Sequence, residues 1–224
     1  MCGRFTQTAS PAVIAQEFGI TVPLPFTPRY NIAPSQPVAA IRIEPGTTTR
    51  QLVLLRWGLI PSWAQDPKIG YQCINAKAET VAEKPSFRAA LKTRRCLVIA
   101  TGFYEWQVQG LRKQPMWIGL KSHRPFAFAG LWEQWHPPEG ADIESCTILT
   151  TEPNELLRPI HNRMPVILAP SAYDQWLDPT VHDAESLKSL LCPYPSEELT
   201  AYPVSTLVNN PRHVAPDCLE PVSV

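Results

Sequence analysis

The amino-acid sequence predicts an α+β fold in a single domain that spans residues 1–224. Many short apolar segments are rich in β-branched residues and bounded by turn-forming residues, which is typical of strands joined by hairpins. A few segments with helical start and stop signals lie between and after them. Because the sequence contains no internal repeat and no long linker, these elements are expected to share one domain.

The first predicted helix covers residues 11–18. Ser10 is a suitable N-cap, Pro11 fits the first turn and Gly19 provides a stop signal. A second helix is predicted at residues 86–93, where the basic pair Arg94-Arg95 suits a helix C-terminus. The remaining predicted helical segments are a turn at 152–157 and helices at 171–176 and 183–191.

The clearest predicted hairpin joins residues 38–43 to residues 51–57 through the turn signal Glu44-Pro45-Gly46. A second hairpin is predicted between residues 116–120 and 126–132. The other predicted strands or extended segments are 74–80, 96–100, 103–107, with Gly102 as a bulge or kink before it, 146–150 and 165–168. The proline-rich stretch 23–37 is expected to be an irregular loop that displays functional groups.

Composition excludes several classes of protein. Hydrophobic residues make up 44% and charged residues 18% of the chain, as in ordinary globular proteins, and the formal net charge is zero. A polyanionic partner would therefore need a local basic patch. The sequence lacks an apolar run of the ~18 residues that a membrane span needs and has no signal-peptide pattern, so a cytoplasmic protein is expected. Six scattered cysteines without a C-x-x-C pair predict reduced thiols rather than disulfides or a metal site.

The N-terminus is the most distinctive part of the chain. Cys2 is small enough to permit removal of Met1, which would leave a 1,2-aminothiol at the start of the mature protein. The free α-amine titrates near pH ~7.7 to 8.0, so part of it is nucleophilic at neutral pH. The amine can condense with an aldehyde, and the adjacent thiol can then close a thiazolidine ring, favoured by its proximity. The alternative is an incidental buried cysteine.

Two internal segments carry candidate acid/base groups. Glu105 lies in an otherwise apolar strand, where burial of an unpaired carboxylate is costly, so it should raise its pKa or find a cationic partner. His161 lies in a polar segment bounded by prolines, and its ordinary pKa near ~6.5 suits proton transfer. A structural ion pair for Glu105 and a structural role for His161 remain alternatives.

Two further patterns have open interpretations. Alternation over residues 74–80 places Asn75, Lys77 and Glu79 on one face, which is either a site wall or a solvated strand face. Trp57 and Trp63 flank a turn, and each is expected either in the core or at an exposed stacking position.

Six motifs together resemble the SRAP family (SOS-response-associated peptidase domain), whose members cross-link to abasic sites in DNA. The motifs are Met1-Cys2-Gly3-Arg4-Phe5, Arg29-Tyr30-Asn31-Ile32-Ala33-Pro34, Trp57-Gly58-Leu59-Ile60-Pro61-Ser62-Trp63, Asn75-Ala76-Lys77-Ala78-Glu79-Thr80, Gly102-Phe103-Tyr104-Glu105-Trp106 and His161-Asn162-Arg163-Met164-Pro165. They occur in the family's order over almost the whole chain. The resemblance implies a mostly antiparallel, barrel-like β core with peripheral helices.

The resemblance also implies a chemistry. Cys2 would attack the ring-opened aldehyde of an abasic deoxyribose and form a thiazolidine DNA–protein cross-link. Glu105 would assist at the amine and in opening the sugar ring, His161 would act as acid/base near the sugar oxygen and in reversal, and Asn75 would hold the sugar or Cys2. No cofactor or metal is implied. The expected partner is single-stranded DNA, or a junction of single and double strands, that contains an abasic site, bound by a monomer.

The DNA-binding residues implied by the resemblance are Arg4, Pro34, Trp63, Lys77, Thr150 and Arg163. Arginine is usual in the family where Lys77 stands, and lysine offers a point charge rather than a planar fork. The family also often has proline at the position of Ile99 and aspartate at that of Asn162, which leaves the fine positioning of the site open.

Two other functions remain open. Cys2 could serve as the nucleophile of a thiol peptidase or an autopeptidase, with His161 as its base. The chain could also be a non-covalent single-stranded DNA-binding module in which Cys2 is incidental.

Overall fold

A closed β-barrel forms one half of the fold in the computed structural model, which describes residues 2–21 and 27–223. The strands of the chain are β1 (Arg4–Gln7), β2 (Arg29–Ile32), β3 (Pro37–Ile43), β4 (Arg50–Trp57), β5 (Asn75–Lys77), β6 (Arg95–Ala100), β7 (Gly102–Gln109), β8 (Arg112–Leu120), β9 (Phe126–Trp135), β10 (Ile143–Thr151), β11 (Met164–Pro165), β12 (Ile167–Leu168) and β13 (Leu199–Pro203). Strands β10, β4, β3, β6 and β9 pair in that order, and β9 pairs with β10 to close the ring. Only the β4–β10 pair within this ring is parallel.

The other half is a five-stranded antiparallel sheet in the order β13-β8-β7-β1-β2. Strands β7 and β8 form a tight hairpin whose turn contains Gly110, with φ 61°. Gly102, at the start of β7, lies under the indole ring of Trp117, and a Cβ there would come within 2.3 Å of that ring. The predicted bulge or kink at Gly102 is therefore a position of close packing.

Helices lie around the barrel. They are α1 (Pro11–Phe18), α2 (Arg88–Thr93), α3 (Tyr173–Leu177) and α4 (Ala184–Lys188), with 3-10 turns at Pro67–Gln72, Pro170–Ala172, Ser196–Glu198, Thr206–Asn209 and Pro216–Leu219. Within the described part of the chain, every helix falls short of the length and apolar character that a membrane crossing requires.

Alternate side chains of the barrel strands belong to two different apolar clusters. On β6, Leu97 and Ile99 join the cluster that includes the buried residues of α1, α2 and α3, whereas Cys96 and Val98 face the other way. The second cluster continues into the antiparallel sheet through Phe5 and its neighbours, so it joins the two halves of the fold. Ile99 thus packs with the helices rather than in the cluster that contains Cys2.

The predicted fold class is confirmed: the fold is α+β, with a mostly antiparallel, barrel-like core and peripheral helices. Helix α1 has the predicted bounds, the Ser10 side chain accepts from the Val13 backbone N–H, and Gly19 adopts φ 61°. The hairpin of β3 and β4 and the strands at 96–100, 103–107 and 146–150 are also confirmed. Helix α2 begins two residues later than predicted, and Arg95 belongs to β6, although its guanidinium still binds the Leu91 and Lys92 carbonyls at the end of the helix.

Three predictions of local structure were wrong. Residues 116–120 and 126–132 are strands but not a hairpin, because β8 pairs with β7 and β13 while β9 belongs to the barrel. The helical turn expected at 152–157 is instead a series of turns at 155–160. Residues 29–32, expected in a loop, form strand β2 against β1, and residues 23–26 of that predicted loop lie outside the described residues.

Candidate functional site

The pairing of β1 with β7 brings the N-terminal residues to the candidate site. Arg4 is opposite Tyr104, so continuing the antiparallel register places the residues before Arg4 beside Glu105 and Trp106. Cys2 is fully buried, in the same apolar cluster as Phe5. Burial, followed by the negative charge of Glu105, raises the pKa of the Cys2 thiol far above its usual range. The sulfur is therefore held as a neutral thiol near the Glu105 carboxylate.

Asn75 fixes the position of the Cys2 backbone. Strand β5 runs parallel to β10, with Asn75 opposite Ile148. Its Nδ2 donates a hydrogen bond of 2.8 Å to the Cys2 carbonyl oxygen. Its Oδ1 is buried and accepts no hydrogen bond from the described residues. Asn75 thus both positions the N-terminal residue and offers one further acceptor.

Glu105 is a buried carboxyl group at the centre of the site. Glu105 is only 2% exposed, and its Oε2 lies 3.8 Å from Nε2 of His161. Burial raises the pKa of Glu105 to about 7, and the positive charge of the amino terminus acts in the opposite direction. A carboxyl group with this pKa exchanges a proton near neutral pH, as an acid/base catalyst requires.

His161 is oriented by the backbone that follows it. Its Nδ1 accepts a hydrogen bond of 3.1 Å from the Arg163 backbone N–H. When Nδ1 accepts this bond, the proton of the neutral ring lies on Nε2, the atom that faces Glu105. Nδ1 also lies 3.2 Å from the Arg163 carbonyl oxygen, to which the other tautomer would donate. Burial, and after it the charge of the amino terminus, lowers the pKa of His161, so the ring is neutral at physiological pH.

An open cleft of about 520 Å³ leads to this pair of acid/base groups. Its walls are Glu105, Trp106, Val108, Lys113, His161 and Asn209. The sequence prediction named Glu105 and His161 but assigned no role to Val108, Lys113 or Asn209, and it treated Trp106 only as part of a motif. None of these three residues belongs to a recognisable motif. Val108 and Lys113 are brought together by the pairing of β7 with β8, which was not predicted.

Lys77 and Arg163 lie near the other end of β5 but differ in their surroundings. Lys77 is exposed and pairs in register with Thr150, whose side chain is fully buried. Arg163 forms a double ion pair with Glu79, at 2.6 and 2.9 Å, and donates to the Thr150 carbonyl at 2.6 Å. The extended segment predicted at 74–80 forms only over Asn75–Lys77, because residues 78–80 lie in a turn. Exposed Lys77 therefore ends the strand, and the ion pair of Glu79 lies in the turn that follows it.

Arg4 lies on the far side of the N-terminal strand and is bound to other parts of the chain. Its guanidinium donates to Asn31 Oδ1 at 2.9 Å, to the Val208 carbonyl at 2.7 Å and to the Asn209 carbonyl at 3.3 Å. Burial lowers its pKa. These bonds connect β1, the strand that follows Cys2, to the segment that provides Asn209.

Pro34 and Trp63 flank the same end of the β3–β4 hairpin. Pro34 lies in the turn before β3 and Trp63 in the turn after β4, and Pro37 is opposite Arg56 where these strands begin and end. Trp63 is 58% exposed, whereas Trp57 is fully buried and donates its indole N–H to the Ile74 carbonyl. Of the two roles considered for these tryptophans, Trp57 has the core role and Trp63 the exposed one.

One group of potential metal ligands lies outside the cleft, in the described part of the chain. The side chains of His213, Asp217 and Cys218 approach one another within 4.8 Å. His213 Nε2 and Asp217 Oδ1 are hydrogen-bonded to each other at 2.6 Å, and Arg4 is close enough to lower the pKa of Cys218 against the larger effect of burial. A neighbouring guanidinium disfavours a cation, so these residues are better explained as a hydrogen-bonded cluster.

Comparison with known proteins identifies relatives along the whole chain. Residues 1–211 match the profile of the family described as SOS response associated peptidase (SRAP). The chain is 50% identical to "Abasic site processing protein YoqW" of Bacillus subtilis (strain 168), covering 98% of this chain and 99% of that protein. It is 35% identical to "Abasic site processing protein HMCES" of Xenopus tropicalis, covering 87% of this chain and 66% of that protein.

Solved structures show the same fold. A crystal structure of a protein from Bacteroides thetaiotaomicron superposes with a TM-score of 0.88 at 28% identity, covering 99% of this chain and all of that one. A phage-related protein from Bordetella bronchiseptica superposes with a TM-score of 0.72 at 29% identity, covering 91% of this chain and 94% of that one.

Proposed function

The chain belongs to the SOS response associated peptidase family, and from this premise we propose that it processes abasic sites in DNA by covalent capture of the sugar aldehyde on Cys2. The names of its relatives support abasic sites as the target. The observation that carries the proposed chemistry is that Glu105, which acts on the buried Cys2 thiol, lies beside His161 in the wall of one cleft.

The reaction requires a mature chain that begins with Cys2. Met1 lies outside the described residues, and its removal remains a prediction from the small size of Cys2. Once exposed, the Cys2 amine attacks the aldehyde carbon C1′ of the ring-opened abasic sugar. The resulting carbinolamine loses water and becomes an imine. The Cys2 sulfur then adds to the imine carbon while the thiol proton passes to nitrogen, which gives a thiazolidine and releases one water in total.

Each of these steps includes a proton transfer, and the site offers two groups for them. With a pKa of about 7, Glu105 accepts a proton from the Cys2 ammonium and returns it to the departing hydroxyl group. The Nε2–H of neutral His161 donates to the ring oxygen of the sugar as the ring opens and acts again on reversal. Asn75 holds the Cys2 carbonyl and can orient a sugar hydroxyl through its vacant Oδ1.

DNA would bind across the surfaces on either side of this pocket. Lys77 meets a phosphate, and Pro34 and Trp63 press against bases, which suits single strands or junctions. Arg163 would exchange its Glu79 partner for a phosphate, and Thr150 would act by accepting a hydrogen bond from Arg163. Arg4 would add positive charge near the N-terminal strand while it stays bound to Asn31. The proposed form is a monomer without metal or cofactor, acting in the cytoplasm and on the nucleoid if the source is bacterial.

Intact-mass measurement after incubation with an abasic single-stranded oligonucleotide tests the proposal. The expected product has the mass of the chain without Met1 plus the oligonucleotide minus one water. We predict that Cys2→Ala abolishes this product while most of the affinity for DNA is kept, because phosphate contacts provide the binding. An active protein that retains Met1 would contradict the aminothiol mechanism.

The same experiment separates the other two functions. A complex that dissociates completely in denaturant would indicate non-covalent binding only. The family name favours a test for peptidase activity, in which Cys2 attacks an amide with His161 as base. The buried, neutral thiol of Cys2 argues against this activity, because a peptidase nucleophile needs a lowered thiol pKa. Catalytic hydrolysis of peptides that depends on Cys2 would support it.

A further inference from the structure

The β7–β8 hairpin extends the wall of the cleft beyond Glu105. Val108 on β7 is opposite Lys113 on β8, and Trp106 is opposite Pro115, so these side chains project from one face of the hairpin. Trp106, Val108 and Lys113 all line the cleft that contains His161. Val108 is 67% exposed, so its side chain is accessible to a ligand in the cleft. We call these three residues the hairpin surface.

The aromatic part of the hairpin surface is held in place. The indole N–H of Trp106 donates to Asn209 Oδ1 at 2.7 Å, on the opposite wall of the cleft. The Asn209 backbone is in turn bound by Arg4. A ring fixed in this way loses little conformational freedom when a flat group packs against it. Trp106 and Val108 thus form a rigid apolar surface beside the acid/base groups.

Lys113 provides a cation at the edge of this apolar surface. Within the described ranges, no carboxylate lies at ion-pairing distance from its ammonium group. Two arginines that the family resemblance assigns to DNA differ: Arg163 is paired with Glu79, and Arg4 is occupied by carbonyl groups. Lys113 also contributes to the lowered pKa of His161, after burial and the charge of the amino terminus, which indicates that its charge is felt inside the cleft.

An apolar aromatic surface with a cation at its edge matches the chemistry of a nucleotide, which has a flat base and an anionic phosphate. We propose that the hairpin surface binds the nucleotide next to the abasic site, with the base against Trp106 and Val108 and the phosphate at Lys113. This inference rests on the proposed function, because it places the neighbouring nucleotide beside a sugar held at Glu105 and His161. It assigns a phosphate contact that the sequence motifs do not contain.

The test measures the salt dependence of binding to an undamaged oligothymidylate, which has no aldehyde and cannot cross-link. Each phosphate contact contributes about 0.7 to the slope of log affinity against log salt for single strands. We predict that Lys113→Met lowers the slope by about 0.7, so a fourfold rise in salt weakens its binding about 2.6-fold less than that of the wild type. Lys113→Arg should keep the slope.

Lys121, an exposed lysine just after the other end of β8, provides the matched control. Lys121→Met should have the slope of the wild type. Equal slopes for Lys113→Met and the wild type would overturn the proposal, and so would an equal loss in Lys113→Met and Lys121→Met, because that would be a general effect of net charge.

A second variant tests the apolar part of the surface. Trp106→Leu should weaken binding of the oligothymidylate about tenfold, since a base stacked on an aromatic ring contributes on this order, and it should leave the salt slope unchanged. Unchanged affinity would overturn the stacking contact. Cross-linking of abasic DNA by the wild type and Lys121→Met is measured in parallel. If both cross-link while Lys113→Met keeps the full slope, this inference fails and the proposed function stands.

Discussion

At the scale of single residues, the site combines a neutral thiol, a carboxyl group with a raised pKa and a neutral imidazole. Each state follows mainly from burial, which disfavours the charged form of all three groups. The fold therefore tolerates an acidic group where an apolar one would be more stable. A cost in folding stability of this kind is typical of functional sites, and it can be measured at Glu105.

Glu105→Gln should stabilise the protein at alkaline pH. The folded state raises the pKa of Glu105 from 4.5 to about 7, so its neutral form favours folding at low pH and this contribution is lost as the pH rises through about 7. Neutral glutamine avoids the cost of ionisation. The expected gain in unfolding free energy is about 3 kcal/mol near pH 8 and below about 1 kcal/mol near pH 5.

Thermal unfolding of both proteins at the two pH values measures this difference. Glu133→Gln is a suitable control, because Glu133 is also a buried strand carboxylate and its partner is the cation Arg94, at 2.7 Å. Its replacement should destabilise the protein at about pH 8, since it leaves Arg94 without its partner. A loss of stability in Glu105→Gln near pH 8 would show that Glu105 is itself a structural ion pair, the alternative considered from the sequence.

Single residues could be singled out from the sequence where their chemistry was unusual for their surroundings. Glu105 was recognisable as a carboxylate in an apolar strand, and Cys2 by its position at the N-terminus. Arg163 was different, because its partner Glu79 lies 84 positions away and is brought near only by the pairing of β5 with β10. Lys113 carried no sequence signal at all, since an exposed lysine after a turn is ordinary.

At the scale of elements, local signals predicted helices and hairpins, and pairing between distant segments was missed. Helix α1 has its cap, its proline and its glycine within ten residues, so its bounds could be predicted. The error at β8 and β9 arose because the short link at 121–125 suggests a hairpin, whereas the two strands join different sheets. Which sheet each of these strands joins is decided by competition between strands that are distant in the sequence.

A second long-range contact sets the shape of the cleft. Asn31 on β2 is 2% exposed, and its Nδ2 lies within 3.2 Å of the carbonyl oxygens of Val208, Asn210 and His213, while its Oδ1 accepts from Arg4. One side chain therefore holds segment 206–213 against β2, the strand paired with β1. This segment provides Asn209, which forms the wall opposite the hairpin surface.

Asn31→Asp should loosen this segment. The carboxylate keeps the contact with Arg4 but cannot donate to the three carbonyl groups, and it repels them. We expect a loss of about 2–4 kcal/mol in unfolding free energy and faster hydrogen exchange at residues 206–213. Asn162→Asp, at an exposed position, is the matched control and should exchange like the wild type. Equal protection of 206–213 in both variants would contradict the role assigned to Asn31.

At the scale of the whole molecule, the site lies where the barrel and the antiparallel sheet meet. Asn75 comes from a strand paired to the barrel, Cys2 and Glu105 from the sheet, and His161 from the turns before β11. The sequence analysis predicted the α+β class from local patterns, but the barrel was implied only by family resemblance. Closure depends on the β9–β10 and parallel β4–β10 pairs, and no local pattern encodes the parallel pair.

The C-terminal residues complete this arrangement, although the family profile ends at residue 211. The His213 carbonyl accepts from Asn31 at 2.8 Å, the Cys218 carbonyl accepts from the Tyr104 hydroxyl at 3.3 Å, and the Val222 N–H donates to Pro203. Cys218 is fully buried in a cluster with Tyr104 and Trp117. Residues 213–222 therefore pack on the strand next to the N-terminus and are expected to stabilise the whole fold.

A chain that ends at Arg212 should be markedly less stable than the full chain. Besides the three hydrogen bonds above, it loses those from the Tyr202 hydroxyl to the Leu219 carbonyl and from the His213 N–H to the Asn210 carbonyl. With one buried cluster residue, the total loss is about 6 kcal/mol, which for a chain of this size lowers the melting temperature by about 15 °C. A chain that ends at Val222 keeps all of these contacts and should melt like the full protein. Calorimetry of the three proteins measures this difference. A single transition that shifts as a whole would support the predicted single domain. An unchanged melting temperature after truncation at Arg212 would show that residues 213–222 are dispensable for stability.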